Sequence, residues 1–94
     1  MNNIGLIVKQ LTEIAAFLRS CGKKEWAKYL DELASQGDKS PDDEFEKRLR
    51  DLFGGMGSLT DLNIYIVGDR ERSDLLNKNL SAMRGELFRL VMKH

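Results

Sequence analysis

The residue types that usually perform chemistry are few in this chain, and their positions argue against catalysis. The one histidine is His94, the last residue. A frayed terminus cannot hold an imidazole against a substrate proton, so no Ser/His/Asp or Cys/His set assembles around it. The one cysteine is Cys21, which cannot form an internal disulfide and fits a reducing compartment. One terminal His and one Cys do not make a zinc site. Cys21 reads as a small, partly buried side chain. Carboxylates are abundant, but Asp31 and Glu32 are sequence neighbours and diverge around a helix, so they do not form a glycosidase-like pair. A glycine-rich run, Gly54-Gly55-Met56-Gly57-Ser58, raises the question of a phosphate loop. Such a loop cradles oxygens with successive N–H groups and normally carries a lysine. No lysine follows here, and a sharp turn between two helices accounts for the glycines. The expectation is a chain with no catalytic residues, no metal and no cofactor.

The elements that must position any site are helical. In residues 3–20, Ile4, Ile7, Leu11, Ile14 and Leu18 recur at helical spacing, with Leu6, Val8 and Phe17 widening the apolar face. Gly22 is a natural left-handed stop. Residues 23–35 form a second stripe through Trp26, Leu30 and Leu33, with Gly37 as its expected end. The short link at residues 22–24 makes the pair an antiparallel hairpin. Ser40 and Pro41 then read as N-cap and first helical position of a third helix, with Asp43 completing a capping pattern and Phe45, Leu49, Leu52 and Phe53 facing inward. After the glycines, Ser58 and Asp61 suggest the start of a short helix over residues 59–67. The β-branched and aromatic run Ile64-Tyr65-Ile66-Val67 makes a strand the rival, disfavoured for want of a partner strand. A last helix starts near Arg72 or Ser73, Ser73 serving as cap, and carries Leu76, Leu80, Met83, Leu87 and Leu90. The predicted architecture is all-α: one domain over residues 1–94, a small antiparallel four-helix bundle with an additional short helix after the glycine turn.

Charge is balanced overall, with 15 basic and 15 acidic side chains among 94 residues. That argues against direct nucleic-acid binding and against a polybasic membrane anchor. No apolar run approaches the roughly 18 residues of a membrane span, and Lys9 and Gln10 interrupt the first apolar stretch before a signal-peptide core forms, so a soluble cytoplasmic protein is expected. The balance is local in origin, however. Residues 31–46 hold seven acids and one base, Lys39. Part of this is helix-dipole capping; part reads as a docking surface for a basic partner. Asp31, Asp38, Asp42, Asp43, Glu44 and Glu46 are the candidate partner-binding acids, with Tyr29 as a nearby anchor and Tyr65 as a second exposed contact residue. Trp26 shares the apolar stripe and is expected in the core.

The run Leu52-Phe53-Gly54-Gly55-Met56-Gly57-Ser58-Leu59-Thr60-Asp61-Leu62 resembles a segment of a group of small uncharacterised bacterial proteins, in which a helix ends in an FGGMGS-type turn followed by Asp-Leu. The first hairpin with Trp26 and the final helix with Glu86-Leu87-Phe88 are similar too. The chain also resembles immunity proteins of bacterial toxin–immunity pairs, including contact-dependent inhibition systems. That resemblance implies a cytoplasmic protein that neutralises a cognate toxin domain by occlusion. The resemblance to the FGGMGS-type group implies a structural motif built on Gly54, Gly55, Met56, Gly57, Ser58 and Asp61. The commonest nuclease inhibitors of this kind are acidic overall, and here only residues 31–46 are. A non-catalytic adaptor that docks a helix or a second copy through Leu6, Val8 and Phe17 is the alternative.

Overall fold

Four apolar stripes separated by turn residues fold into four helices. The computed structural model describes residues 3–54 and 57–93. It contains α1 (Ile4–Ser20), α2 (Lys24–Lys39), α3 (Asp43–Asp51), a single 3-10 turn (Leu59–Asp61) and α4 (Arg70–Met92). No strand occurs among the described residues, and none of their helices is long and apolar enough to cross a membrane. The molecule is an elongated helical bundle of 43 × 22 × 21 Å.

The α1–α2 hairpin is closed by Gly22 at φ +83°, a conformation that disfavours any side chain. Its N–H bonds Arg19 O at 3.1 Å, and the Lys23 N–H bonds Leu18 O at 2.8 Å. This is the paired C-terminal capping pattern that uses up the last carbonyls of a helix. Ile7, Leu11, Ile14, Ala15 and Leu18 of α1 are buried with Ala27, Leu30, Leu33 and Ala34 of α2. Helix α4 runs antiparallel to α1, as two amides show: Asn3 Nδ2 donates to Leu90 O (2.6 Å) and Gln10 Nε2 to Met83 O (2.9 Å). Both partners are seven residues apart in sequence, two helical turns, so the register repeats. Leu80, Leu87, Leu90 and Val91 complete that side of the core, while Leu75 and Phe88 are exposed.

The second connection differs from the sequence expectation. Gly37 does not end α2; it lies buried inside it, and the helix continues to Lys39. A Cβ at Gly37 would sit 2.4 Å from the tip of the Phe45 ring. The glycine is a contact surface for Phe45 of α3, which is itself fully buried. What ends α2 is Pro41, which bars its predecessor Ser40 from helical geometry; Ser40 takes φ −150°, ψ 79°. The N-cap of α3 is therefore Asp42, not Ser40, and its carboxylate accepts the Phe45 N–H at 3.0 Å.

The expected short helix over residues 59–67 is also corrected. Only Leu59–Asp61 turns; residues 62–66 are irregular, with Ile64 buried and Asn63 and Tyr65 exposed on either side of it. This period of two is that of extended chain. Helix α4 stands in for the missing partner strand. Asn77 Oδ1 accepts the Ile64 N–H (2.7 Å) while its Nδ2 donates to Ile64 O (2.8 Å). One turn earlier, Ser73 Oγ accepts the Ile66 N–H at 2.8 Å. The spacing matches: four helical residues advance about 6 Å, and two extended residues about 6.6 Å. Arg84 adds bonds to Leu59 O and Leu62 O, both at 3.2 Å. Ser73 is thus buried and engaged, and the cap of α4 is Asp69, whose carboxylate accepts the Arg72 N–H at 2.9 Å.

Two glycines should answer oppositely to the same change. Gly37→Ala forces the Phe45 ring to move and is expected to cost about 1–3 kcal/mol by urea denaturation. Gly85→Ala on α4, where a Cβ meets nothing within 4 Å, is expected to stabilise by about 0.5–1 kcal/mol. Asn77→Ala leaves both main-chain groups of Ile64 unpaired. It is expected to cost about 2–4 kcal/mol and to abolish exchange protection of the Ile64 amide.

Candidate docking surface

The acids singled out in the sequence separate by the work each does. Asp31, on α2, pairs with Arg19 of α1 across the hairpin. Both ends are about half exposed, so the pair adds little stability but occupies the carboxylate. Asp42 is the α3 cap. Glu46 is half-buried on α3. Asp38, Asp43 and Glu44 are solvent-exposed around the elbow where α2 passes into α3. The structure therefore brings Asp38, Asp42, Asp43 and Glu44 together at one end of the hairpin and leaves Asp31 engaged on its flank.

Tyr29 lies ten residues before the end of α2, about 15 Å along the helix from the elbow, and is not a free anchor. Its ring meets Trp26 edge-on, with centroids 6.0 Å apart. The Arg48 guanidinium of α3 sits over the Tyr29 ring, 5.2 Å from its centre. Arg48 also donates to Gln36 Oε1 on α2. Trp26, Tyr29, Arg48 and Gln36 form a half-buried seam leading from the α2 N-terminal half toward the acidic elbow. Trp26 is thus not in the buried core as expected; it packs against the core's edge and helps line a shallow depression with Glu25 and Tyr29. Sequence reasoning missed Arg48 and Gln36. Neither interrupts a stripe, and their pairing exists only because Phe45 seated on Gly37 fixes how α3 crosses α2.

The glycine turn is described at Gly54, Gly57, Ser58 and Asp61; Gly55 and Met56 lie outside the described residues. Gly57 takes φ +77° and its N–H donates to Asp61 Oδ2 at 3.1 Å. Leu59 N–H reaches back to Leu52 O at 2.9 Å, closing the turn under the end of α3. Ser58 Oγ is 2.7 Å from Thr60 Oγ1 rather than capping the turn. An aspartate bonded to the Gly57 N–H puts negative charge where a phosphate would need to sit, so the geometry is that of a structural turn.

Elsewhere, Val8 and Phe17 of α1 are packed against the core, so of the face proposed for an adaptor only Leu6 is exposed. Titration is perturbed at an exposed pair on α4: hydrogen bonding from Arg89 holds Glu86 below the usual carboxylate range and raises Arg89 in turn. Among the described residues no group of three or more His, Cys, Asp or Glu is arranged to hold a metal.

By fold the chain is a small all-α domain with a cluster of exposed acids at the elbow between α2 and α3. Residues 19–71, more than half of it, match the family described as Domain of unknown function (DUF6966), and the chain belongs to that family. No curated protein and no solved structure matches it. The matched segment holds the acidic elbow, the Trp26–Arg48 seam, the glycine turn and the extended segment. Ser73, Asn77 and Arg84, which secure that segment, lie beyond it.

Stability measurements should separate capping acid from surface acid. Asp42→Ala is expected to cost about 1 kcal/mol. Asp43→Asn and Glu44→Gln are each expected to stay within about 0.5 kcal/mol of the parent in the same denaturant titration.

Proposed function

We propose that this chain is an immunity protein: a cytoplasmic, non-catalytic module that binds a cognate bacterial toxin domain and occludes it, as in contact-dependent growth inhibition systems. The observation that supports this most is the acidic elbow. Asp38, Asp43 and Glu44 are exposed at the junction of α2 and α3, and a half-buried seam through Gln36, Arg48, Tyr29 and Trp26 runs back along α2 from it. Exposed charge of one sign steers encounter with a basic partner. Half-buried aromatics held by neighbours supply contact area at little entropic cost. The toxin–immunity context comes from the chain's resemblance in size and type to immunity proteins, not from the glycine-turn segment.

The mechanism divides the surface by role. The elbow acids accelerate association and select a basic face. The aromatic seam supplies the desolvated contact that slows dissociation. Asp42 supports both indirectly, by fixing the first turn of α3.

The test is genetic, then kinetic. The chain is co-expressed with the C-terminal domain of its upstream neighbour; rescue of growth and co-purification are the expected result. No toxicity and no complex would overturn the reading. With the partner in hand, Asp38→Asn/Asp43→Asn/Glu44→Gln, which spares the cap, is expected to slow association about tenfold at low salt and to flatten its salt dependence. Dissociation should change little. An unchanged association rate would remove the elbow from the interface.

A further inference from the structure

The extended segment has two edges, and only one is used. Ile64 and Ile66 turn their main-chain groups toward α4, where Asn77 and Ser73 bond them. In extended chain the groups of the intervening residues point the other way. The N–H and C=O of Asn63 and Tyr65 accordingly find no hydrogen-bond partner among the described residues. A second, independent feature falls on the same stretch. Val67 and Tyr65, at 84% and 76% exposure, are the most exposed large hydrophobic side chains among the described residues. An open edge with strand-forming side chains is a template for another strand.

We propose that this edge pairs with the same edge of a second copy of the chain, antiparallel about a two-fold axis through Tyr65. The arrangement is self-complementary. Tyr65 exchanges both main-chain bonds with the partner's Tyr65, and Asn63 lies opposite the partner's Val67. The exposed side chains of Asn63 and Tyr65 then share one face, and Val67, in the turn that follows, stands at the end of the paired stretch.

Charge complementarity selects a second copy. At the Leu62 end, the neighbouring groove is lined by Lys23, Lys24 and Glu25, a net positive set. At the Ile66 end, the cleft of about 530 Å³ is lined by Asp69, Arg70 and Asp74, a net negative set. Antiparallel pairing sets the positive end of each copy against the negative end of the other, twice. The paired stretch is short, so the buried area falls below the roughly 1,200 Å² of stable interfaces and the dimer is a weak, reversible one. This assignment does not depend on the toxin-binding reading: the two surfaces adjoin at Glu25 and Trp26, which line both the aromatic depression and the positive groove, but the pairing edge uses none of the elbow acids.

Sedimentation equilibrium over a broad concentration series tests it. A reversible monomer–dimer equilibrium is expected. Tyr65→Pro removes the outward N–H, and Val67→Lys places a charge at the edge. Each should weaken the dimer about tenfold or more, with helical circular dichroism unchanged. Lys24→Glu and Asp74→Lys should each weaken it, and the two together should restore it. The elbow variant Asp38→Asn/Asp43→Asn/Glu44→Gln should dimerise normally, which separates this proposal from the preceding one. A chain that stays monomeric throughout would overturn the assignment. So would a dimer indifferent to both edge variants. A monomer whose binding to the toxin domain is lost in Val67→Lys would show that the edge takes a foreign strand, and the second-copy assignment would fail.

Discussion

Three polar side chains of α4 hold the irregular segment between α3 and α4. A run of residues between α3 and α4 has no ladder of its own, and unpaired main-chain groups in a half-buried setting are costly. Asn77 answers with an amide that bonds as a peptide would, donating to and accepting from Ile64. Ser73 repeats the contact one turn away, and Arg84 gathers the carbonyls of Leu59 and Leu62. The buried positions of Leu59 and Ile64 follow from this scaffold. So does the span that returns the chain from the end of α3 to the start of α4, which then packs on α1.

At the other end of the molecule the equivalent constraint is steric. The missing Cβ of Gly37 lets the Phe45 ring close on α2, and this contact sets how α3 crosses the hairpin. The crossing brings Arg48 over Tyr29 and against Gln36, and it gathers the acids of two helices around one elbow. A surface that looks like a run of charge is thus organised by one buried aromatic contact. Its acids are not equivalent: Asp31 and Asp42 are occupied within the chain, and Asp38, Asp43 and Glu44 are exposed to solvent.

The helices were legible because their apolar residues recur every three to four positions, and Gly22 was legible because a left-handed stop needs glycine. Gly37 misled because glycine has two unrelated uses, ending a helix and admitting a neighbour, and only the second depends on a residue eight positions away. Ser40 misled because Ser and Asp cap equally well; the difference lay in Pro41, which ends the preceding helix as readily as it begins the next. Ile64 to Val67 carried a strand signal that was real in backbone terms. Its partner is a helix presenting Asn and Ser one turn apart, a pairing that strand rules do not contain. Of the candidate surface, the exposed acids were readable from charge alone. Arg48 and Gln36 were not, since their meeting depends on a helix crossing.

The bonds from α4 to the extended segment fall on main-chain atoms. Asn77 and Ser73 hold Ile64 and Ile66 by groups that every residue except proline possesses, while the side chains at 63, 65 and 67 stand outside the arrangement. Those three positions can therefore change identity without disturbing the path of the backbone. The segment is a fixed rail with interchangeable lettering. A lineage could revise what this edge presents through a few surface replacements, leaving the helices and their packing as they are.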